Sequence, residues 1–205
     1  LHKFSIAVYR QDGTAILLPH KSKPFYQSLN NAWTVSRHNP GDDLIYGLGE
    51  KTGRLNHQGR SLTMWNTDIL APDPDQTFKR EDDDPGGCLS TDFDPYYMSI
   101  PFHYQFSPTS ALASGHFIDN PYRGDYVFNE EKNFSTVTFH GGQYCEYIFA
   151  GPQLKNILST YTELTGRLEL TPLWALGYHQ CRWKKYSHDD VLELAEKQRQ
   201  SCVPC

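Results

Sequence analysis

The stretch from Tyr161 to Trp183, reading YTELTGRLELTPLWALGYHQCRW, limits what this chain can fold into more than any other part of it. Leu154, Ile157, Leu158, Tyr161 and Thr165 recur at helical spacing. That predicts an amphipathic helix with these residues on one face and Gly166 as its C-terminal stop. Pro172 then forbids helix and resets the backbone. Trp174 to Tyr178 is almost wholly apolar, as in a strand covered on both faces, the usual state in a parallel sheet. Ser187 followed by Asp190 reads as an N-cap with an acidic residue at N3. Val191, Leu192, Leu194 and Ala195 give that second helix its expected buried face. Strand, short loop and helix make the opening unit of an α/β domain, and the chain is expected to continue past Cys205 with a second strand.

Upstream the pattern is different. Phe4 to Val8 and Ala15 to Leu18 flank Asp12-Gly13, a hairpin signal. Short strands are expected at Ala32–Ser36, Leu44–Leu48, Leu62–Trp65, Tyr97–Phe102, Ala111–Ile118, Gly124–Phe128, Thr136–His140 and Glu146–Phe149. Their short, regular spacing is that of a sandwich, and Gly141-Gly142 is expected to mark one more hairpin. Asn66 to Pro95 is the longest irregular stretch, broken by Pro72, Pro74, Pro85 and Gly86-Gly87. A loop of that length in a compact domain is usually functional or disordered. Gly151-Pro152 opens the helix, with Pro at its first turn. The expected layout is a β-sandwich over 1–150, a linking helix and turn over 151–172, and an α/β unit over 173–205.

A net charge of -5 without a basic run argues against nucleic acid, whose phosphates require clustered Lys and Arg. No apolar run approaches the roughly 20 residues of a membrane span. The first residue is Leu with no signal-like segment before it, so the N-terminus is expected to be cut. The five cysteines (Cys88, Cys145, Cys181, Cys202 and Cys205) are odd in number and too sparse for a disulfide scaffold. Cys202-Val-Pro-Cys205 has redox-motif spacing, but it follows a helix C-terminus, where no dipole stabilises a thiolate. A turn with small side chains is the reading there, and a reduced, cytoplasmic setting is the mild expectation.

Four segments stand in register: Tyr46-Gly-Leu-Gly-Glu50, Met64-Trp-Asn-Thr-Asp68, Asp94-Pro-Tyr-Tyr-Met-Ser-Ile-Pro-Phe102, and LTGRLELTPLWALGYHQCRW followed by KKYSHDDV. Together, over roughly residues 40 to 205, the chain resembles glycoside hydrolase family 31, the α-glucosidase and α-xylosidase family. The resemblance implies a mainly β fold: a galactose-mutarotase-like β-sandwich, then the first β-α unit of a (β/α)8 barrel. It also implies a loop of the β-domain that reaches over the barrel mouth and sets an Asp against the sugar hydroxyls. The matching residue is Asp68.

A carboxylate suits that task because it accepts two hydroxyl hydrogen bonds, charge-assisted and stronger than neutral ones. The alternative is an Asx turn, with the carboxylate bonding nearby backbone N–H groups. Trp183 stands with Cys181 and Arg182 at the C-terminal end of the first barrel strand, the end that faces an active-site mouth. It either lines a sugar pocket or packs, while Arg182 is expected to pair with a barrel carboxylate. Tyr96 or Tyr97 offers a stacking face or a core aromatic. Glu81 to Asp84 lacks a calcium-loop layout and reads as a solvated run. His57, His103, His116 and His140 are scattered and read as structural; no metal and no cofactor is expected.

A retaining glycosidase needs two carboxylates about 5 Å apart. In the resembled family both are aspartates on later barrel strands, and no Trp-x-Asp-Met-Asn-Glu-like segment occurs here. The expectation is therefore the N-terminal portion of a retaining α-glycosidase, hydrolysing or transferring terminal α-glucose. It would support the barrel, contact an α-linked oligosaccharide, and contain no catalytic residue of its own. The alternative is a non-catalytic carbohydrate-binding β-sandwich.

Overall fold

Alternation of side chains decides the architecture of the longer part of the chain. The computed structural model describes residues 4–67, 94–129, 133–151, 153–179 and 184–203. They fall into two compact units, Leu1–Leu164 and Thr165–Cys205. In chain order the strands of the first unit are β1 (Val8–Tyr9), β2 (Ala15–Leu17), β3 (Phe25–Gln27), β4 (Trp33–His38), β5 (Leu44–Gly49) and β6 (Ser61–Met64). Then follow β7 (Ser99–Ser107), β8 (Leu112–Ile118), β9 (Gly124–Asn129), β10 (Phe134–Phe139) and β11 (Glu146–Ala150), before helix α1 (Leu154–Thr165).

The strands form a five-stranded sheet in the order β3-β4-β10-β9-β6 and a four-stranded sheet in the order β11-β8-β7-β5. Neighbours are antiparallel throughout. β1 and β2 pair as the small ribbon that Asp12-Gly13 announces. There the Asp12 carboxylate accepts the Thr14 N–H at 2.9 Å.

Inward residues of both sheets share one core: Trp33 and Val35 from β4, Ile45 and Leu48 from β5, and Leu62 and Met64 from β6. Ile118, Tyr126, Phe128, Val137 and Phe139 complete it. Trp33 lies parallel to Phe139, ring centres 5.0 Å apart. This face-to-face arrangement is a β-sandwich, as the strand spacing in the sequence leads one to expect.

The four-stranded sheet is covered on its other face as well. Phe102, Ala113 and Phe149, with Ile100, Tyr104, Phe106 and Phe117, pack against Ile157 and Tyr161 of α1. Tyr161 stacks on Phe102 at 4.1 Å. The helix approaches this closely because Gly115 has no side chain; a Cβ there would lie 2.5 Å from Ile157 Cγ2. Burying a side chain such as Ile157 contributes about 1.5–3 kcal/mol. The apolar face expected of α1 is thus narrower than the spacing suggests. Ile157 and Tyr161 are covered, whereas Leu154, Leu158 and Thr165 are exposed.

Gly141-Gly142 is not a hairpin. The strands on either side, β10 and β11, belong to different sheets. The glycines lie on the crossover, where Asn120 Nδ2 donates to Gly141 O at 3.0 Å and to Gln143 O at 3.1 Å. Two glycines signal a turn; they do not say which sheet the next strand joins.

The second unit begins without regular structure and contains a 3₁₀ turn at Leu173–Leu176 and helix α2 (His188–Gln200). The strand expected at Trp174–Tyr178 is not present: a parallel strand exists only by pairing, and no strand stands beside it among the described residues of this unit. α2 starts as expected. Ser187 Oγ accepts the Asp190 N–H at 3.2 Å, and the Asp190 carboxylate accepts the Ser187 N–H at 2.8 Å, a complete capping box. Its expected buried face is not covered. Val191 and Leu192 are more than half exposed, and Leu194 and Ala195 are only half-buried. Amphipathic spacing specifies a face, and burial requires a second surface.

Candidate functional site

The site begins with a distortion in β5. Pairing with β7 slips between Gly47 and Gly49, where φ is 116° and 84°, and Leu48 between them sits at 67°. A Cβ on Gly47 would come within 2.7 Å of Phe102 O, and one on Gly49 within 2.5 Å of Met98 O. The Tyr46-Gly-Leu-Gly-Glu50 segment is therefore the sequence of a β-bulge. It buries Leu48 and lets the Glu50 N–H donate to Met98 O at 2.8 Å. Lys51 is carried beneath the point where β6 ends and β7 begins.

At that point the two flanks of residues 68–93 are tied together. Asn66 and Tyr96 form a parallel bridge, and the Thr67 N–H donates to Tyr96 O at 3.0 Å. The Ser99 N–H donates to Asn66 Oδ1 at 2.8 Å. Ser99 Oγ donates to Trp65 O at 2.9 Å and accepts from the Trp65 N–H at 3.1 Å. Beneath them Lys51, its side chain 1% exposed, reaches Asp94 Oδ1 at 3.0 Å and Thr63 O at 2.5 Å. The Asp94 carboxylate also accepts the Thr63 N–H.

Above this knot lies an open cleft of about 360 Å³, lined by Met64, Trp65, Asn66, Ser99, Pro101, Asn120, Pro121 and Tyr122. Trp65 and Tyr122 are each about half exposed. Asn120 forms a fixed wall, because its amide also accepts the Tyr122 N–H at 2.9 Å. Trp65 and Tyr122 offer aromatic faces for apolar contact with the C–H faces of a sugar ring. The Ser99 hydroxyl and the Asn120 amide are engaged by the backbone and shape the walls. No carboxylate lies among these lining residues. They can hold a polyol, and they contain no acid–base pair to cleave one.

Asp68 and Trp183, the two substrate-contacting residues expected from the sequence, lie outside the described residues, as do Cys181, Arg182 and the acidic run Glu81–Asp84. Asp68 directly follows Thr67 of the tied flank. Tyr96 and Tyr97 meet edge to face at 5.0 Å, with Tyr97 partly exposed. Among the described residues no group of three or more His, Cys, Asp or Glu is placed to hold a metal ion.

The four histidines singled out in the sequence each have neighbours within the sandwich. His140 Nε2 meets Asp125 Oδ2 at 2.8 Å on the surface. His57 is buried, with Nε2 3.0 Å from Gly47 O and Nδ1 3.1 Å from Arg60 Nη1. His103 and His116 stack at 5.0 Å inside the sandwich, beside a buried ion pair that joins the two sheets. In that pair Arg37 Nη1 on β4 donates to Glu146 Oε1 on β11 at 2.6 Å. Tyr144 OH donates to the same carboxylate, and His116 Nδ1 stands 3.6 Å from it. Burial opposes ionisation of Glu146, but Arg37 and the His116 contact outweigh it and hold the carboxyl well below its usual range. Burial holds both histidines below the usual imidazole value.

Neither the Lys51–Asp94 nor the Arg37–Glu146 pair was evident in the sequence. The available signals were a charged residue at an inward position of an alternating strand, and a Lys directly after a glycine-marked bulge.

Residues 1–126 match the N-terminal galactose mutarotase-like domain of glycosyl hydrolase family 31. The chain belongs to that family. Residues 168–205 match the family 31 TIM-barrel domain, so the sandwich is followed by the start of a barrel domain. Among family 31 relatives, the chain is 38% identical over 162 residues to Alpha-glucosidase 2 of Bacillus thermoamyloliquefaciens, covering 79% of this chain and 18% of that protein. It is 27% identical over 209 residues to Alpha-xylosidase 1 of Arabidopsis thaliana, covering 98% of this chain and 20% of the relative. A family 31 dextranase of Flavobacterium johnsoniae, solved with isomaltotriose, superposes with a TM-score of 0.77 at 28% identity, over 97% of this chain and 22% of the dextranase. The chain thus spans about a fifth of the length of the relatives it matches.

Proposed function

We propose that this chain is the N-terminal part of a retaining α-glycosidase that hydrolyses or transfers terminal α-glucose. The sandwich supports the catalytic barrel and presents a substrate-contacting segment to the barrel mouth, and the aspartates that break the bond come from later barrel strands. The observation that carries this reading is the tied root of residues 68–93 beside an aromatic cleft, in a chain of this family. The root fixes Thr67, and Asp68 is the next residue. Asp68 accepts hydrogen bonds from sugar hydroxyls, and Trp183 is the second residue assigned to contact the substrate in the full-length protein.

The second unit supports the same reading. Leu168, Leu170, Leu173, Trp174 and Leu176 are between 68% and 97% exposed. Exposed apolar surface of that extent marks an interaction face, and the remainder of the barrel is the partner that covers it. The domain limits that go with this reading are 1–150 for the sandwich, 151–172 for the link and 173–205 for the start of the barrel.

The test is kinetic. In the full-length protein, Asp68→Ala lowers kcat/KM for an α-glucoside by about 10²-fold, the loss of roughly two charge-assisted hydrogen bonds. An unchanged kcat/KM removes Asp68 from the substrate site.

A further inference from the structure

The interior of a sandwich end is an unfavourable place for an ammonium group. Lys51 is nonetheless almost completely enclosed, with its Nζ on three elements that are distant in sequence: Thr63 on β6, Asp94, and Ser99 at the start of β7. An apolar side chain of similar length would fill the same space without desolvating a charge, so packing alone does not account for a lysine here. Its bonding pattern points elsewhere. Ser99 Oγ has one proton, directed at Trp65 O, and two lone pairs. One lone pair receives the Trp65 N–H, and the other faces Lys51 Nζ at 3.5 Å. The ammonium thereby fixes the rotor of the hydroxyl that holds both backbone groups of Trp65. Through Asp94 it also holds the N–H of Thr63 on β6, two residues before Trp65. Trp65 and Asn66 are the residues that line the cleft from this side.

We propose that Lys51 is a positioning residue for carbohydrate: its ammonium sets the Trp65–Asn66 rim in the orientation that receives an α-linked glucoside. This rests on the reading of the cleft as a sugar site given under Proposed function. Lys51 itself touches no sugar. Its contribution is pre-organisation, which raises affinity by removing the cost of ordering the rim at the moment of binding.

The experiment is a titration of the 205-residue chain with maltotriose and with isomaltotriose, followed by the indole N–H signals in ¹H–¹⁵N NMR. Trp65 is assigned by Trp65→Phe, and the buried indole of Trp33 serves as an internal report on the fold. In the wild-type chain the Trp65 signal shifts with sugar and the Trp33 signal does not. Lys51→Met leaves Asp94 without its counter-charge and is open to unfolding. The deciding variant is therefore Lys51→Met combined with Asp94→Asn, which removes both charges and preserves shape. It is expected to keep the Trp33 signal and the thermal midpoint while binding sugar about tenfold more weakly. Sugar binding in the double variant equal to wild type overturns the role of Lys51 and leaves the cleft as a sugar site. A double variant that loses the Trp33 signal makes Lys51 a residue of the fold and overturns the proposal too. A wild-type chain whose Trp65 signal ignores both sugars removes the cleft reading and this inference with it.

Discussion

At the scale of single residues, the least expected feature is how much charge and polarity the sandwich encloses. Arg37 and Glu146 are both nearly inaccessible and join the sheets. His103 and His116 lie stacked beside them, facing Glu146 and Arg37, with Tyr126 and Phe128 of β9 against His103 and Ser114 Oγ 2.9 Å from His116 Nε2. Burial lowers the folded pKa of both histidines, and of His57. The unfolded chain therefore binds protons that the folded chain refuses. Stability is full above the ordinary imidazole value of about 6.5 and falls as pH drops from there towards the depressed folded values. Glu146 acts in the same direction at lower pH: its depressed pKa contributes stability above the usual carboxylate value, and this is lost as pH falls through the folded one. Urea unfolding between pH 8 and pH 5 tests this, each histidine steepening the decline by up to about 1.4 kcal/mol per pH unit. His103→Phe keeps the ring contacts, removes a buried nitrogen that has no hydrogen-bond partner, and flattens the slope. An unaltered slope in that variant contradicts the argument.

Among elements, helix α1 carries the clearest prediction. It seats Ile157 over Gly115, where no side chain fits. Gly115→Val forces the helix off the sheet and destabilises the first unit by about 1–3 kcal/mol through overpacking. Denaturation followed by Tyr fluorescence measures this, and a cost near zero means the helix does not bear on that strand. Elements were legible in the sequence wherever the local pattern sufficed. The Asp12-Gly13 hairpin, the alternating strands β9 and β10, and the Ser187 cap depend only on neighbours in sequence. The misread elements depend on distant partners. Gly141-Gly142 resembles a hairpin turn, yet Glu146 pairs with Ile118 and not with β10. Trp174–Tyr178 has the composition of a covered strand but, with no strand beside it among the described residues of its unit, Leu173–Leu176 closes into a 3₁₀ turn. β3 escaped notice because three residues are too few to show alternation. The site was half legible: the Tyr46–Glu50, Met64–Asp68 and Asp94–Phe102 segments were singled out, while Lys51 and its contact with Asp94 were not. Their partnership spans 43 positions, and no local pattern reports a contact at that separation.

At the scale of the whole molecule, the account joins three facts. A sandwich of the family 31 N-terminal type fills most of the chain, the start of the family's barrel domain follows, and the cleft beside the tied root holds no carboxylate. Under the proposed function, such a body supports and positions, and the two carboxylates of a retaining mechanism are supplied by later barrel strands. The most direct measurement is ¹H NMR of an α-glucoside incubated in parallel with the 205-residue chain and with the full-length protein. The account predicts no turnover by the chain, and rapid release of α-glucose, the retained anomer, by the full-length protein. Glucose released by the chain alone, or β-glucose as the first product of the full-length protein, contradicts it.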